Sequence, residues 1–259
     1  MTNKEKKINW EEEFKRDYPV EKFQEVSHYW WKDCYNQIEK FIFKNIPLNN
    51  NSEILECGCD SGNSSLKLAR LVKKVILLDN SNTALDCAKR LAGYYQVENV
   101  EFVRGDVFSM PFNSDQFDFC WNIGLIEHYN FSEAKQIIKE MSRIVKQEGW
   151  ICLGVPNFMS LPIIKAKFLY FKPLRLFTFR VKGYRLKDET RYDLKDLRKL
   201  LFSVSRESGI KFEQVSSYYI GSVLPVETPR FIFEKINKFL SKLFSRLSFL
   251  ILISAKVKK

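Results

Sequence analysis

Short apolar runs alternate along the chain with stretches in which apolar residues recur every third or fourth position. Residues 53–57 (Glu-Ile-Leu-Glu-Cys), 74–79 (Lys-Val-Ile-Leu-Leu-Asp), 100–104, 117–122 (Phe-Asp-Phe-Cys-Trp-Asn) and 150–155 read as strands. Between them, residues 63–71, 82–94 and 132–145 carry helical spacing, with Ser81 or Asn82 placed to cap the second of these helices. Upstream, Phe23, Val26, Trp30, Cys34, Ile38 and Phe41 share one face of a helix that ends before Pro47. Strands that are apolar nearly throughout predict a parallel sheet covered on both faces. After Pro156 the rhythm breaks, then resumes with a helix over 194–208, a strand over 211–218, an amphipathic helix over 231–247 and a last strand over 249–257.

Sheets of this kind bind ligands outside the carboxyl ends of their strands, where the strand order reverses. Glu56 to Gly62, Asp79, Asp106 and Asn122 all fall at such ends. A side chain at Gly58 or Gly62 would fill the space in which a ligand lies against bare backbone, so this turn reads as a nucleotide-type cofactor site. Acidic-x-Gly closes the first strand, Asp79 tips the second, Gly105-Asp106-Val107 follows the third, and Asn122-Ile-Gly-Leu-Ile-Glu-His128 follows the fourth.

In that order the four motifs resemble class I S-adenosylmethionine-dependent methyltransferases, in the small-molecule and lipid-precursor branch that includes quinone-biosynthesis (type 11) enzymes. The resemblance is specific over residues 50–157 and looser from Tyr192 to Phe212. It implies a Rossmann-like, seven-stranded, mostly parallel α/β sheet with helices on both faces and the last strand antiparallel. It also implies S-adenosyl-L-methionine as cofactor and no metal. By position, Glu56 and the Gly58 backbone face the methionine end of the cofactor, with Gly62 completing the turn. Asp79, beside Asn80, accepts the ribose hydroxyls. Asp106 accepts from the adenine amino group while the Val107 backbone reads a ring nitrogen, and Asn122 and Gly124 offer carbonyls to the ammonium. Asp60 stands where the family has a glycine, so either the turn is looser or its carboxylate meets the ammonium. Glu127 and His128 are the catalytic candidates: an imidazole titrating near pH 7 can take a proton from a hydroxyl acceptor, or it can simply shape the pocket. A dinucleotide-dependent oxidoreductase fits less well, because Gly58-Cys-Asp-Ser-Gly62-Asn lacks the glycine spacing that seats a pyrophosphate.

Charge changes the picture in the second half of the chain. The total is +11, but residues 158–259 carry 22 Lys and Arg against 8 Asp and Glu, and residues 158–187 carry eight basic residues and no acidic one. The chain therefore divides into an N-terminal helical cap (1–48), the cofactor-binding half (49–157), a basic apolar insertion (158–192) and a C-terminal completion of the sheet (193–259). In the insertion Leu161, Ile164, Phe168 and Phe171 share a face flanked by Lys165 and Lys172. Two readings stay open for it: a helix in an anionic membrane interface, or an apolar flap over the site. Either favours a small, apolar or lipid-linked acceptor, with O-methylation the leading chemistry. RNA methylation and a non-catalytic cofactor-binding scaffold remain the alternatives. Nucleic acid is disfavoured because strand four ends in Asn-Ile-Gly-Leu without the Pro-Pro-aromatic signature of base-nitrogen methylation. His28 reads as helix surface, and Tyr29, Trp30 and Trp31 as core or as a cofactor lid. Six scattered cysteines read as reduced core thiols. The N-terminus lacks an apolar signal region and the run from Leu247 to Ala255 is too short to span a bilayer, so the chain is expected to be cytoplasmic, either soluble or peripheral at the inner membrane face.

Overall fold

The computed structural model of the chain describes Glu11 and residues 27–169 and 189–259. Its elements, in order, are α1 (Tyr29–Asn45), β1 (Glu53–Cys57), α2 (Asn63–Leu68), β2 (Lys74–Asp79), α3 (Asn82–Tyr95), β3 (Val100–Arg104), β4 (Phe117–Ile123), α4 (Phe131–Ile144), β5 (Val145–Pro156), α5 (Leu161–Leu169), α6 (Leu194–Ser208), β6 (Lys211–Ile220), α7 (Arg230–Leu243) and β7 (Leu250–Lys258). The seven strands form one sheet in the order β3-β2-β1-β4-β5-β7-β6, and β7 alone runs against the others. The expected fold class is the one observed.

Period-two alternation explains how one sheet holds two cores. Ile54, Val75, Leu77, Phe119 and Trp121 point to one face and pack under α1 and α3. Leu55, Ile76, Leu78 and Cys120 point to the other face, under α4 and α6. Strong N-caps start the helices on both sides: Ser81 accepts from Ala84 N, while Asn130 and Asp193 each complete a capping box. All six cysteines are buried and unbridged. The chain winds outward from β1 through β2 to β3, then returns to β4 on the opposite side of β1, which puts the reversal of strand order between β1 and β4.

Element boundaries depart from expectation in three places. β5 begins at Val145 instead of Trp150, because Phe117 pairs with Val145 across a bulge while Lys146 holds Asp118 at 2.8 Å. The polar residues Lys146, Gln147 and Glu148 carry no strand signal of their own, and Glu148 takes a φ of +67°. The helix expected over 231–247 stops at Leu243 and finishes as a 3-10 turn, Ser245–Leu247. The first helix starts at Tyr29, and Phe23 and Val26 lie outside the described residues. His28 caps it, its Nδ1 accepting from Trp30 N at 3.3 Å. Trp30 is core, not lid: it is buried against Phe249 and its indole N–H donates to Leu224 O at 2.7 Å.

Register pairs of Leu250 with both Pro156 and Ile220 bring the ends of β5 and β6 and the start of β7 to one edge, the carboxyl edge of the parallel strands. Asn157 staples that edge. Its side-chain amide donates to Arg246 O (2.9 Å) and Ser248 O (2.8 Å), and its Oδ1 accepts from Met159 N at 3.1 Å. Asn157→Ala removes a buried donor from two carbonyls and is expected to lower stability by about 2–3 kcal/mol. Urea unfolding of the variant measures this, and an unchanged midpoint contradicts the staple.

Candidate functional site

β1 breaks at Gly58 into a turn that only an unusual backbone can make. Gly58 and Gly62 both take a φ of +64°, and Asp60 between them a φ of +51°. A Cβ on Gly58 would stand 2.6 Å from Leu125 Cδ1, and one on Gly62 would collide with Leu77 Cδ1, so the turn is pressed against the tips of β4 and β2. The Cys59 amide donates to Leu78 O at 3.0 Å and locks this position.

Three carboxyl groups converge there. Asp79, at the tip of β2, is buried, and its two oxygens accept from the backbone N–H groups of Asp60 and Ser81, each at 3.0 Å. Burial still holds its pKa above the usual carboxylate range, against the lowering effect of those bonds. Burial and the Asp79 charge push Asp60 upward as well. Glu56 is only 5% exposed, and burial pushes it up to about 8 even though the Ser65 hydroxyl and amide both donate to it. Trp121 Nε1 in turn donates to Ser65 Oγ at 2.9 Å, which orients the hydroxyl toward Glu56. Glu56 Oε2 is buried and has no hydrogen-bond partner. An orphaned acceptor amid two further carboxyls suits a cationic ligand group.

At the tip of β4 the chain folds into a 3-10 turn, Ile126–His128. Glu127 is 1% exposed, its Oε2 has no partner, and burial, with the Glu189 charge, pushes it up to about 8. Thr190 N donates to Glu127 O at 2.7 Å, which returns the chain after the insertion to this turn. His128 donates a ring N–H to the Gly124 carbonyl, and burial pulls its imidazole down to about 4. Titration near pH 7, expected from the residue type, is therefore corrected: this histidine is neutral throughout the physiological range.

The expected residues do gather at one edge, with differences in detail. Gly105 N donates to Asp79 O at 3.0 Å, which draws the tip of β3 to that of β2. Asp106 is exposed there and closes a local turn, accepting from Phe108 N at 3.0 Å, while Val107 joins the core. The Asn80 carbonyl accepts from Arg104 at 3.3 Å. Asn122 directs its amide nitrogen into the interior, 3.4 Å from Met141 Sδ, and its buried Oδ1 has no partner. Sequence reasoning missed Ser65, Glu189 and Glu11. The Glu11 carboxylate accepts from Ser81 Oγ (2.6 Å) and Thr83 Oγ1 (2.7 Å), beside Asp79. No spacing rule announces contacts made across 70 residues. Of the insertion, Phe171 and Lys172 lie outside the described residues. Lys165 is ion-paired with Glu227, and Lys167 lies over the Phe158 ring. Among the described residues no group of three or more His, Cys, Asp or Glu side chains could hold a metal ion.

Residues 54–149 match a family model described as a methyltransferase domain. Over 180 residues the chain is 28% identical to a demethylmenaquinone methyltransferase of Bacillus cereus, covering 66% of this chain and 74% of that one. Among solved structures it is similar to a SAM-dependent methyltransferase from Aquifex aeolicus (TM-score 0.59, 14% identity, 93% and 99% of the two chains). It is likewise similar to the N-methyltransferase NodS of Bradyrhizobium japonicum, solved with S-adenosyl-L-homocysteine (TM-score 0.61, 10% identity, 97% and 100%). At these identities the two structures bear on the fold.

The shifted groups set the pH dependence of stability. Glu56 and Glu127 keep their protons up to about pH 8 when folded but release them near 4.5 when unfolded. Between those values the folded state binds more protons, so their contribution is fully present below 4.5 and is lost as pH rises through 8. His128 acts oppositely between about 4 and 6.5, adding stability as pH rises. Above 6.5 only the carboxyls of this set titrate. The melting temperature of the ligand-free protein is therefore expected to fall from pH 6.5 to 8, and Glu56→Gln is expected to flatten that slope. A wild-type melting temperature that rises over the same interval contradicts the assignment.

Proposed function

We propose that this chain, which belongs to the class I S-adenosylmethionine-dependent methyltransferases, transfers a methyl group to the oxygen of a small, apolar or lipid-linked acceptor. The observation that carries the reading is the buried, unpartnered Oε2 of Glu56 beside the carboxyls of Asp60 and Asp79, at the point where the strand order reverses. These acids would hold the cationic methionine end, and the spare lone pairs of the Asp79 oxygens would accept the ribose hydroxyls. Asp106 and Val107 would meet the adenine, and the backbone at Asn122 and Gly124 the ammonium. The cofactor supplies a methyl group on a sulfonium, which an oxygen lone pair can take without further activation of the carbon.

His128 is the acceptor-side group in this reading. Its ring N–H donates to the Gly124 carbonyl, and in a neutral imidazole the second ring nitrogen is an acceptor. That nitrogen takes the hydroxyl proton as the acceptor oxygen is methylated. Glu127, protonated at neutral pH, can donate a hydrogen bond to the same acceptor. The relative's name, a methyltransferase of demethylmenaquinone, supports an apolar, lipid-attached acceptor. Residence of that acceptor in a bilayer makes an anionic inner membrane face part of the proposal, and no helix among the described residues is long and apolar enough to cross it.

Calorimetry is expected to show binding of S-adenosylmethionine and not of NADH. Asp79→Asn, which keeps the size but loses one acceptor oxygen, should weaken that binding by about 1–3 kcal/mol. Binding of NADH alone contradicts the cofactor. With a quinol acceptor, His128→Ala is expected to lower turnover about 100-fold while leaving cofactor affinity nearly unchanged. The acid limb of the wild-type rate should lie near pH 4, where the imidazole protonates. A limb near 6.5 that persists in His128→Ala contradicts its role as base.

A further inference from the structure

α7 lies in the connection from the end of β6 to the start of β7, both at the carboxyl edge of the sheet, the edge at which the site is built. Its orientation is fixed from beneath. Phe233 packs on Tyr29 with ring centroids 5.1 Å apart, and Asn237 is buried, bonded to Ser222 (2.7 Å) and Asp33 (3.2 Å). That leaves a second apolar stripe turned outward. Ile232, Ile236, Phe239 and Leu243 recur at intervals of four, three and four residues, with Phe239 66% and Leu243 61% exposed. Phe231 and Phe244 extend it at the two ends. Beside it, Lys235, Lys238 and Lys242 form an adjacent row of exposed cations, none of them ion-paired among the described residues, while the helix's one acid, Glu234, is held by Arg230 at 2.7 Å.

The same edge carries more apolar surface. Met159, Leu161 and Ile164 are exposed at and before α5, which is joined to the loop preceding α7 by the Lys165–Glu227 ion pair and to its far end by Asn157. Exposed apolar groups of this extent on a soluble surface mark an interaction site. A second copy docked through the stripe would set one lysine row against another, so self-association is opposed by like charge. Anionic headgroups over an acyl layer satisfy both rows together: the apolar stripe enters the boundary while the lysines stay among the phosphates.

We propose that α7 is the membrane-docking element of this protein, seating the carboxyl edge of the sheet on an anionic bilayer so that a lipid-linked acceptor meets the site without leaving the membrane. The surface is argued from exposure and charge, and only its purpose rests on the acceptor class proposed above. Phosphatidylglycerol–phosphatidylcholine vesicles are the probe, with sedimentation of the full chain as readout. Wild type is expected to sediment with these vesicles, to stay in solution with phosphatidylcholine alone, and to be released as salt rises. Replacing Lys235, Lys238 and Lys242 together by Gln should weaken partitioning about 100-fold. Phe239→Ser with Leu243→Ser should abolish it at low salt, and unchanged melting temperatures would show both variants folded.

Three results overturn the proposal: no vesicle binding by wild type at low salt, a dimer that Phe239→Ser dissolves, or full vesicle binding by the Phe239→Ser, Leu243→Ser variant. Turnover of a detergent-dispersed quinol, measured alongside, separates the two readings. Activity without vesicle binding removes the docking element and leaves the proposed reaction standing. Vesicle binding without S-adenosylmethionine-dependent turnover does the reverse.

Discussion

Keeping carboxyl groups out of water at the tips of β1 and β2 is the constraint on which the rest of the molecule depends. Glu56 sits in strand register with Leu77 on one side and Trp121 on the other, a place that packing alone would give to an apolar residue. Burying it as an anion would cost several kcal/mol, so without a ligand it holds a proton, as its elevated pKa records. Three features around it fit the arrival of a cation. The Trp121–Ser65 relay spends a buried indole on orienting one hydroxyl, the Asp60 carboxyl is held beside Asp79, and the Gly58–Gly62 turn keeps the backbone bare. A cationic group among these acids would favour their charged forms and offset the repulsion between them.

The fold supplies the geometry with few specialised parts. Parallel strands end together, the outward winding from β1 leaves a crevice toward β4, and each strand tip adds one polar group to it. β6 brings the chain to that edge, and β7, starting there and running the other way, lets α7 be inserted between them. The acid cluster, the His128–Gly124 contact and the connection that carries α7 thus arise from one edge of the sheet though 56, 128 and 239 are far apart in sequence. Chemistry and docking can share one rim.

Periodicity carried most of the fold, because buried parallel strands and capped helices write their burial directly into residue type. Its failures have physical causes. The start of β5 is held by a bulge and an ion pair, and helix α7 ends where its backbone turns at Phe244, neither of which apolar spacing reports. The positions of the candidate residues were legible where one residue type at a strand tip suffices, as at Glu56 and Asp79. The site was not legible where a property belongs to surroundings: the depressed pKa of His128, the support of Ser65 and the approach of Glu189 arise from burial and from segments distant in sequence. The lysines of the insertion looked like free surface charge, yet Lys165 is paired, while Lys235, Lys238 and Lys242 on α7 are exposed and make no ion pair among the described residues.

Carboxyl carbon NMR of Glu56, titrated with and without S-adenosylmethionine, tests the central claim most directly, with Glu56→Gln identifying the resonance. Without cofactor the group should titrate near pH 8. With cofactor at saturation its midpoint should drop by two units or more, about 3 kcal/mol of preference for the anion. A midpoint that stays near 8 in the complex, with the cofactor demonstrably bound, would show that Glu56 does not face the cationic end and would contradict the account.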